Sequence, residues 1–110
     1  MLKIDDEMRR WCETLVDEVS AWPRVTQRPM FGLVGLYRNS RIFAAVPRTR
    51  AVGSASSVLV KLPARHRLKA ARAPAGWAAF EMHSPDDIPE ALRLLERAYE
   101  KASARTAAKA

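Results

Sequence analysis

Val25-Thr26-Gln27-Arg28-Pro29-Met30-Phe31-Gly32-Leu33-Val34-Gly35-Leu36-Tyr37-Arg38-Asn39-Ser40-Arg41-Ile42-Phe43-Ala44-Ala45-Val46 is the stretch that decides the fold. It has no helical repeat and is rich in β-branched and aromatic residues between turn formers, the pattern of consecutive hairpin-linked strands. Residues 25–28 read as a strand that Met30 and Phe31 continue, with Pro29 marking an edge or bulge. The glycines of Gly32-Leu33-Val34-Gly35 bracket a turn or bend, with Met30 and Phe31 filling the core. Residues 36–38 form the next strand. Asn39-Ser40 is a tight turn, and residues 41–46 are the third strand.

Outward from this meander the pattern changes on both sides. Met8, Trp11, Cys12, Leu15, Val16 and Val19 recur at spacings of three and four, one face of a helix, with Trp11 expected between that helix and the sheet. Asp5, Asp6 and Glu7 suit the positive end of its dipole, and Trp22-Pro23 ends it. Residues 47–57 are polar and turn-rich, a mobile connection to a fourth strand over 58–62. Pro63 opens a short helix over 64–71, a loop follows over 73–76, and residues 77–82 make a fifth strand. Asp87 with Glu90 has capping-box spacing, and Ile88, Leu92, Leu95, Tyr99 and Ala102 form the stripe of a last helix. The expected fold is α+β: an N-terminal helix, an antiparallel β-meander of about five strands, and a C-terminal helix packed on the sheet. One domain is expected over residues 1–102, followed by a disordered basic tail, 103–110.

Charge is distributed unevenly over the 110 residues. The formal net charge is +7, from 19 Lys+Arg and 12 Asp+Glu. Residues 19–80 contain no acid and eleven bases, a concentration of positive charge that favours anionic partners. Arg65, Arg67, Lys69 and Arg72 are close together, positions 65, 69 and 72 sharing a helical face, and Arg48 and Arg50 lie in the loop before the fourth strand. These six form a candidate anion or nucleic-acid patch. No aromatic residue interleaves with the 65–72 cluster as a stacking platform would. Arg28, Arg38 and Arg41 are expected on the sheet face that the helices leave uncovered.

Catalytic and metal constellations are missing from the sequence. His66 and His83 stand apart with no cysteine pair, so zinc-ligand spacing is absent. None of the four glycines precedes a Lys-Ser/Thr pair, and there is no Gly-x-Ser-x-Gly elbow. The Gly32-x-x-Gly35 spacing matches a KH loop, but strand-like runs flank it and its middle is apolar. Glu81 and His83, two apart on one strand face, read as a surface pair. Cys12 reads as a small buried hydrophobe. A non-enzymatic protein without cofactor or metal is expected. No apolar run approaches a membrane span and no secretory leader is visible, so the expected location is cytoplasmic. A symmetric homodimer is left open.

The central motifs carry a family resemblance. Arg28-x-Met30-Phe31-Gly32, then Gly35-Leu36-Tyr37, then Ile42-Phe43-Ala44 after a short turn, resemble the N-terminal domain of the TfoX/Sxy family. Leu59-Val60-Lys61-Leu62 is similar to the family's following strand, and residues 62–80 resemble YjbR-type domains, with a short basic helix before a Gly-Trp strand. The resemblance covers roughly residues 8–102. It implies a two-layer architecture similar to type III secretion chaperones. It further implies a regulatory or protein-interaction module linked to competence or transcription regulation, with a protein partner of unknown identity. It carries no catalytic residues. Arg28, Met30, Phe31, Gly32 and Gly35 are its motif positions, expected to act structurally.

Overall fold

The computed structural model describes residues 1–62 and 76–109. The expected helix over 64–71, with Arg65, His66, Arg67, Lys69 and Arg72, lies outside the described residues. The chain begins with a short strand, β1 (Leu2–Lys3), and helix α1 (Asp6–Ser20). The strands β2 (Val25–Met30), β3 (Leu33–Arg38), β4 (Arg41–Pro47), β5 (Arg50–Ala51), β6 (Ser57–Val60) and β7 (Ala78–Glu81) follow. A single 3-10 turn (Pro85–Asp87) leads into α2 (Ile88–Lys109), which continues across the stretch expected to fray. The main sheet is antiparallel in the order β2-β3-β4-β6-β7, and β1 pairs with β5 beside it. The architecture is the expected α+β fold, with both helices packed on the sheet.

Asp5 caps α1: its carboxylate accepts from the Met8 amide at 2.8 Å, with Asp6 and Glu7 in the first turn. Met8, Cys12, Leu15 and Val19 are the buried face. Trp11 is only half-buried and packs against the rim of the core rather than within it. The second helix start also differs from expectation. Ser84 is the N-cap, and the Asp87 carboxylate accepts from the His83 and Ser84 amides at 2.7 and 3.2 Å. The capping box is thus Ser84-Pro85-Asp86-Asp87, one turn earlier than Asp87-Glu90. The buried face of α2 is centred on Ala91, Leu95, Ala98 and Ala102, while Ile88, Leu92 and Tyr99 flank it half-buried.

Strand pairing divides the side chains cleanly between two faces. Val34, Leu36, Ala44, Val46, Val58, Val60 and Ala78 meet the helices in the main core. Gly35, Ala45, Leu59 and Ala79 run in a row across the other face, where Val52 and Trp77 pack on them. A β-bulge follows Leu36, so that Phe43 stands opposite no residue of β3 and also turns to the helices. Asn39 (φ 50°) and Ser40 (φ 70°) make the expected two-residue turn, with both central residues left-handed.

Tyr99 joins the layers. Its ring meets Trp22 and Phe43 edge-on, with centroids at 5.1 and 5.7 Å, and its hydroxyl donates to the Pro23 carbonyl at 2.8 Å. The Arg38 guanidinium lies 3.8 Å from the ring centroid and donates to the Tyr99 carbonyl at 3.2 Å. Phe43 is 1 % exposed, so Phe43→Ala removes a fully buried ring. Urea denaturation is expected to show a loss of about 3–5 kcal/mol for Phe43→Ala. Trp11→Ala is expected to cost about 1–2 kcal/mol.

Candidate functional site: the Phe31 hairpin tip

The turn between β2 and β3 is Phe31-Gly32, one step earlier than the glycine-bracketed bend expected from the sequence. Met30 pairs with Leu33 across it. Both turn residues are left-handed, Phe31 at φ 49° and Gly32 at φ 82°. Two-residue turns of this kind favour Asn-Gly or Asp-Gly, because an L side chain on a left-handed backbone meets its own carbonyl. Here the first position holds phenylalanine, and its ring is 83 % exposed. The expectation that Phe31 fills the core is therefore corrected: the turn carries it outward.

Gly35 is also placed differently. It lies inside β3, opposite Arg28 and Ala45. A Cβ there would meet Met30 Sδ at 2.8 Å and Tyr37 Cε1 at 3.0 Å. Met30 and Tyr37 thus close over Gly35 on the outer face, and Met30 is half-buried there rather than in the helix-side core. Arg28 sits on the same face with its guanidinium 5.4 Å from the Tyr37 ring centroid.

The tip is held from below. The Gly32 carbonyl accepts from three successive amides, Arg48, Thr49 and Arg50, at 3.0, 2.9 and 3.1 Å. Converging amides of this kind form a nest for negative charge, filled here by the carbonyl. Ile4 donates to the Thr49 carbonyl at 3.1 Å, and β1 then pairs with β5, setting Lys3 directly opposite Arg50. The connection expected to be mobile is therefore tied down along residues 48–51. A Cβ on Gly32 would also meet the Arg50 and Thr49 side chains at 3.0 Å, so the tip and the loop are in contact.

The surroundings of Phe31 are cationic. Arg28, Arg50 and Lys3 are exposed, and Lys3 and Arg50 oppose each other as like charges, an arrangement that costs stability. Arg48 faces elsewhere, lining a hollow with Glu13 and Asp17 of α1. The ion pairs among the described residues are Arg9–Asp6, His83–Glu81 and Arg93–Glu90, so no base from residues 19–62 pairs with a carboxylate there. Of the six expected patch residues, Arg48 and Arg50 flank the tip loop on different sides, and the other four lie outside the described residues. Arg38 and Arg41, expected on the open face, turn instead toward α2, Arg38 onto Tyr99 and Arg41 into a cleft beside Ala98. Lys61 stands 6.0 Å from the Trp77 ring centroid. The pairing of bases with aromatics absent from the local sequence thus arises through the fold.

Other candidate chemistry is weaker. His83 Nε2 lies 3.2 Å from Glu81 Oε1, with the histidine side chain 69 % exposed, a surface pair. Among the described residues no group of three His, Cys, Asp or Glu is placed to hold a metal ion. No helix among them is long and apolar enough to cross a membrane. Burial pushes the Cys12 thiol up from 9.0 to about 12, and the Glu13 carboxylate adds to the rise.

No family model, curated protein or solved structure matches the chain, so these comparisons lend the TfoX/YjbR resemblance no support.

Two outcomes are expected at these positions. Phe31→Asn makes an Asn-Gly turn, relieves the left-handed strain and exposes less apolar surface. Urea denaturation should show the variant more stable than the wild type by about 1 kcal/mol. The native Cys12 thiol should not react with an aromatic disulfide at pH 8, and should react fully once the chain is unfolded. Because the folded thiol is held above its unfolded value, its contribution is complete below pH 9.0 and is lost as pH rises toward about 12.

Proposed function

We propose that this protein is a non-catalytic binding module, that the Phe31 hairpin tip is its contact element, and that single-stranded nucleic acid is the ligand class. One observation carries the proposal: an exposed phenylalanine occupies a left-handed turn position that a polar residue would fill at lower cost. Strain of this sort survives where it serves contact rather than folding. Exposed Arg28 lies on the strand that leads to Phe31, 5.4 Å from the Tyr37 ring centroid, and Arg50, paired with Lys3, lies against the Gly32 end of the turn. A base stacks on an exposed aromatic ring while cations track the phosphates, and this needs no sequence-specific contact.

A second reading, a regulatory protein-interaction module, draws on the same tip. Aromatic and arginine side chains are enriched at the centres of protein interfaces. Among the described residues no base of 19–62 pairs with a carboxylate, which favours the polyanion over it.

Fluorescence anisotropy with a labelled oligothymidylate distinguishes the two. With about three cations engaged, the slope of log K against log salt should be about −2. Phe31→Ala should weaken binding about tenfold or more, the effect of one lost stacking contact. A slope near zero, or equal binding by Phe31→Ala, contradicts the nucleic-acid reading and leaves the protein-partner reading.

A further inference from the structure

On the outer face of the sheet Gly35, Tyr37 and Arg28 lie one over another. Gly35 has no side chain, and the Tyr37 ring occupies the space beside it, with Cε1 3.0 Å and the hydroxyl 3.4 Å from where a Cβ would stand. The ring therefore reaches back along β3 instead of standing off the sheet. Met30 Sδ, 2.8 Å from the same point, shares that space. Arg28 is the cross-strand partner of Gly35, and its guanidinium lies over the Tyr37 ring, 5.4 Å from the centroid. Tyr37 and Met30 are half-buried, while Arg28 is exposed. Among the described residues Arg28 has no carboxylate partner.

We infer that Arg28 is a second base-stacking element of the Phe31 site: a base of the bound strand rests on the solvent side of its guanidinium, and Tyr37 is the positioning residue that supports that group from beneath. The inference rests on the single-stranded nucleic-acid reading of the tip and deepens it, because it gives Arg28 a role beyond that of a phosphate contact. A guanidinium is planar, delocalised and weakly hydrated, so one plane can meet an aromatic ring while the other meets a base. An ammonium in the same place is a compact, strongly hydrated point charge and offers no plane. The N–H edge of Arg28 still reaches phosphates, so its charge counts in the salt dependence as before.

Placement on the strand gives further support. β2 is an edge of the sheet, and Pro29 has no N–H to offer a further strand. The segment that carries Arg28 is thus better suited to side-chain contact than to backbone pairing. Arg28 stands three residues before Phe31, about 10 Å along the strand at a rise of about 3.3 Å per residue. Stacked nucleotides advance about 3.4 Å each, so one short strand reaches both platforms in about three steps.

The test is fluorescence anisotropy with labelled oligothymidylate and with an abasic sugar-phosphate oligomer of equal length. Arg28→Lys keeps the charge and removes the plane. It is expected to weaken oligothymidylate roughly tenfold, with the salt slope unchanged and the abasic oligomer bound as by the wild type. Tyr37→Leu, checked for a native-like amide spectrum, is expected to weaken oligothymidylate in the same direction, and Tyr37→Phe to bind as the wild type does, because the ring suffices. Where Tyr37→Leu does not fold, Arg28→Lys decides alone. Arg28→Lys binding oligothymidylate within about twofold of the wild type overturns the inference, because Arg28 is then only a point charge on a phosphate. That outcome leaves the nucleic-acid reading standing as long as Phe31→Ala still weakens binding. An equal loss on the abasic oligomer overturns the inference too, because no base is then involved. A wild type that binds no oligothymidylate overturns this inference and the nucleic-acid reading together.

Discussion

The stacking of Arg38 on Tyr99 is the contact on which the facing of the central strands depends. Arg38 is the last residue of β3, and it points to the helices because its guanidinium rests on the Tyr99 ring and donates to the carbonyl of the same residue. With Arg38 inward, alternation places Leu36 and Val34 inward and Tyr37, Gly35 and Leu33 outward. A slip of one residue would reverse every one of these. The pairing of β2 with β3 then carries Arg28 to the outer face beside Tyr37 and leaves Phe31-Gly32 as the turn. Strand register sets Arg41 opposite the inward Arg38 and so on the side of α2, despite their like charge.

Stability and contact are separated in space. Among the described residues Ser57 is the one polar residue buried as a whole, and its hydroxyl donates to the Val52 and Ser54 carbonyls. Strain and unfavourable charge gather at the two ends of the sheet: left-handed Phe31 with Lys3 facing Arg50 at one, and Arg38 facing Arg41 at the other. Nothing in the core requires these arrangements. A sheet buried by two helices tolerates them because its stability lies in residues such as Phe43, Leu15, Leu36 and Leu95, which are fully buried.

The helix–meander–helix architecture was legible in the sequence because it rests on periodicity, and periodicity survives tertiary packing. The Asn39-Ser40 turn was legible for the same reason, since turn chemistry is local. The Phe31 tip was not. Phenylalanine is a poor choice for a left-handed turn, and local preference therefore moved the bend onto the glycines and the ring into the core. Gly35 misled in the same way: its lack of a side chain answers the approach of Met30 and Tyr37 across strands, which no local rule reveals. Arg38 and Arg41 were assigned to the open face on the general preference of charge for solvent, and an aromatic partner 61 positions away overrode it. The Ser84 cap, by contrast, was present as Ser-x-x-Asp in the sequence and was displaced by the later Asp87-Glu90 pair.

The central claim is that the strained tip, rather than the helices, meets the partner. Amide NMR during titration with an unlabelled single-stranded oligonucleotide tests it most directly. The account predicts shift changes concentrated at Arg28, Phe31, Gly32, Arg50 and Lys3, with Tyr37 following and the amides of α1 silent. Changes centred on α1 or α2, or a spectrum that leaves Phe31 and Gly32 unmoved while binding occurs, would contradict it.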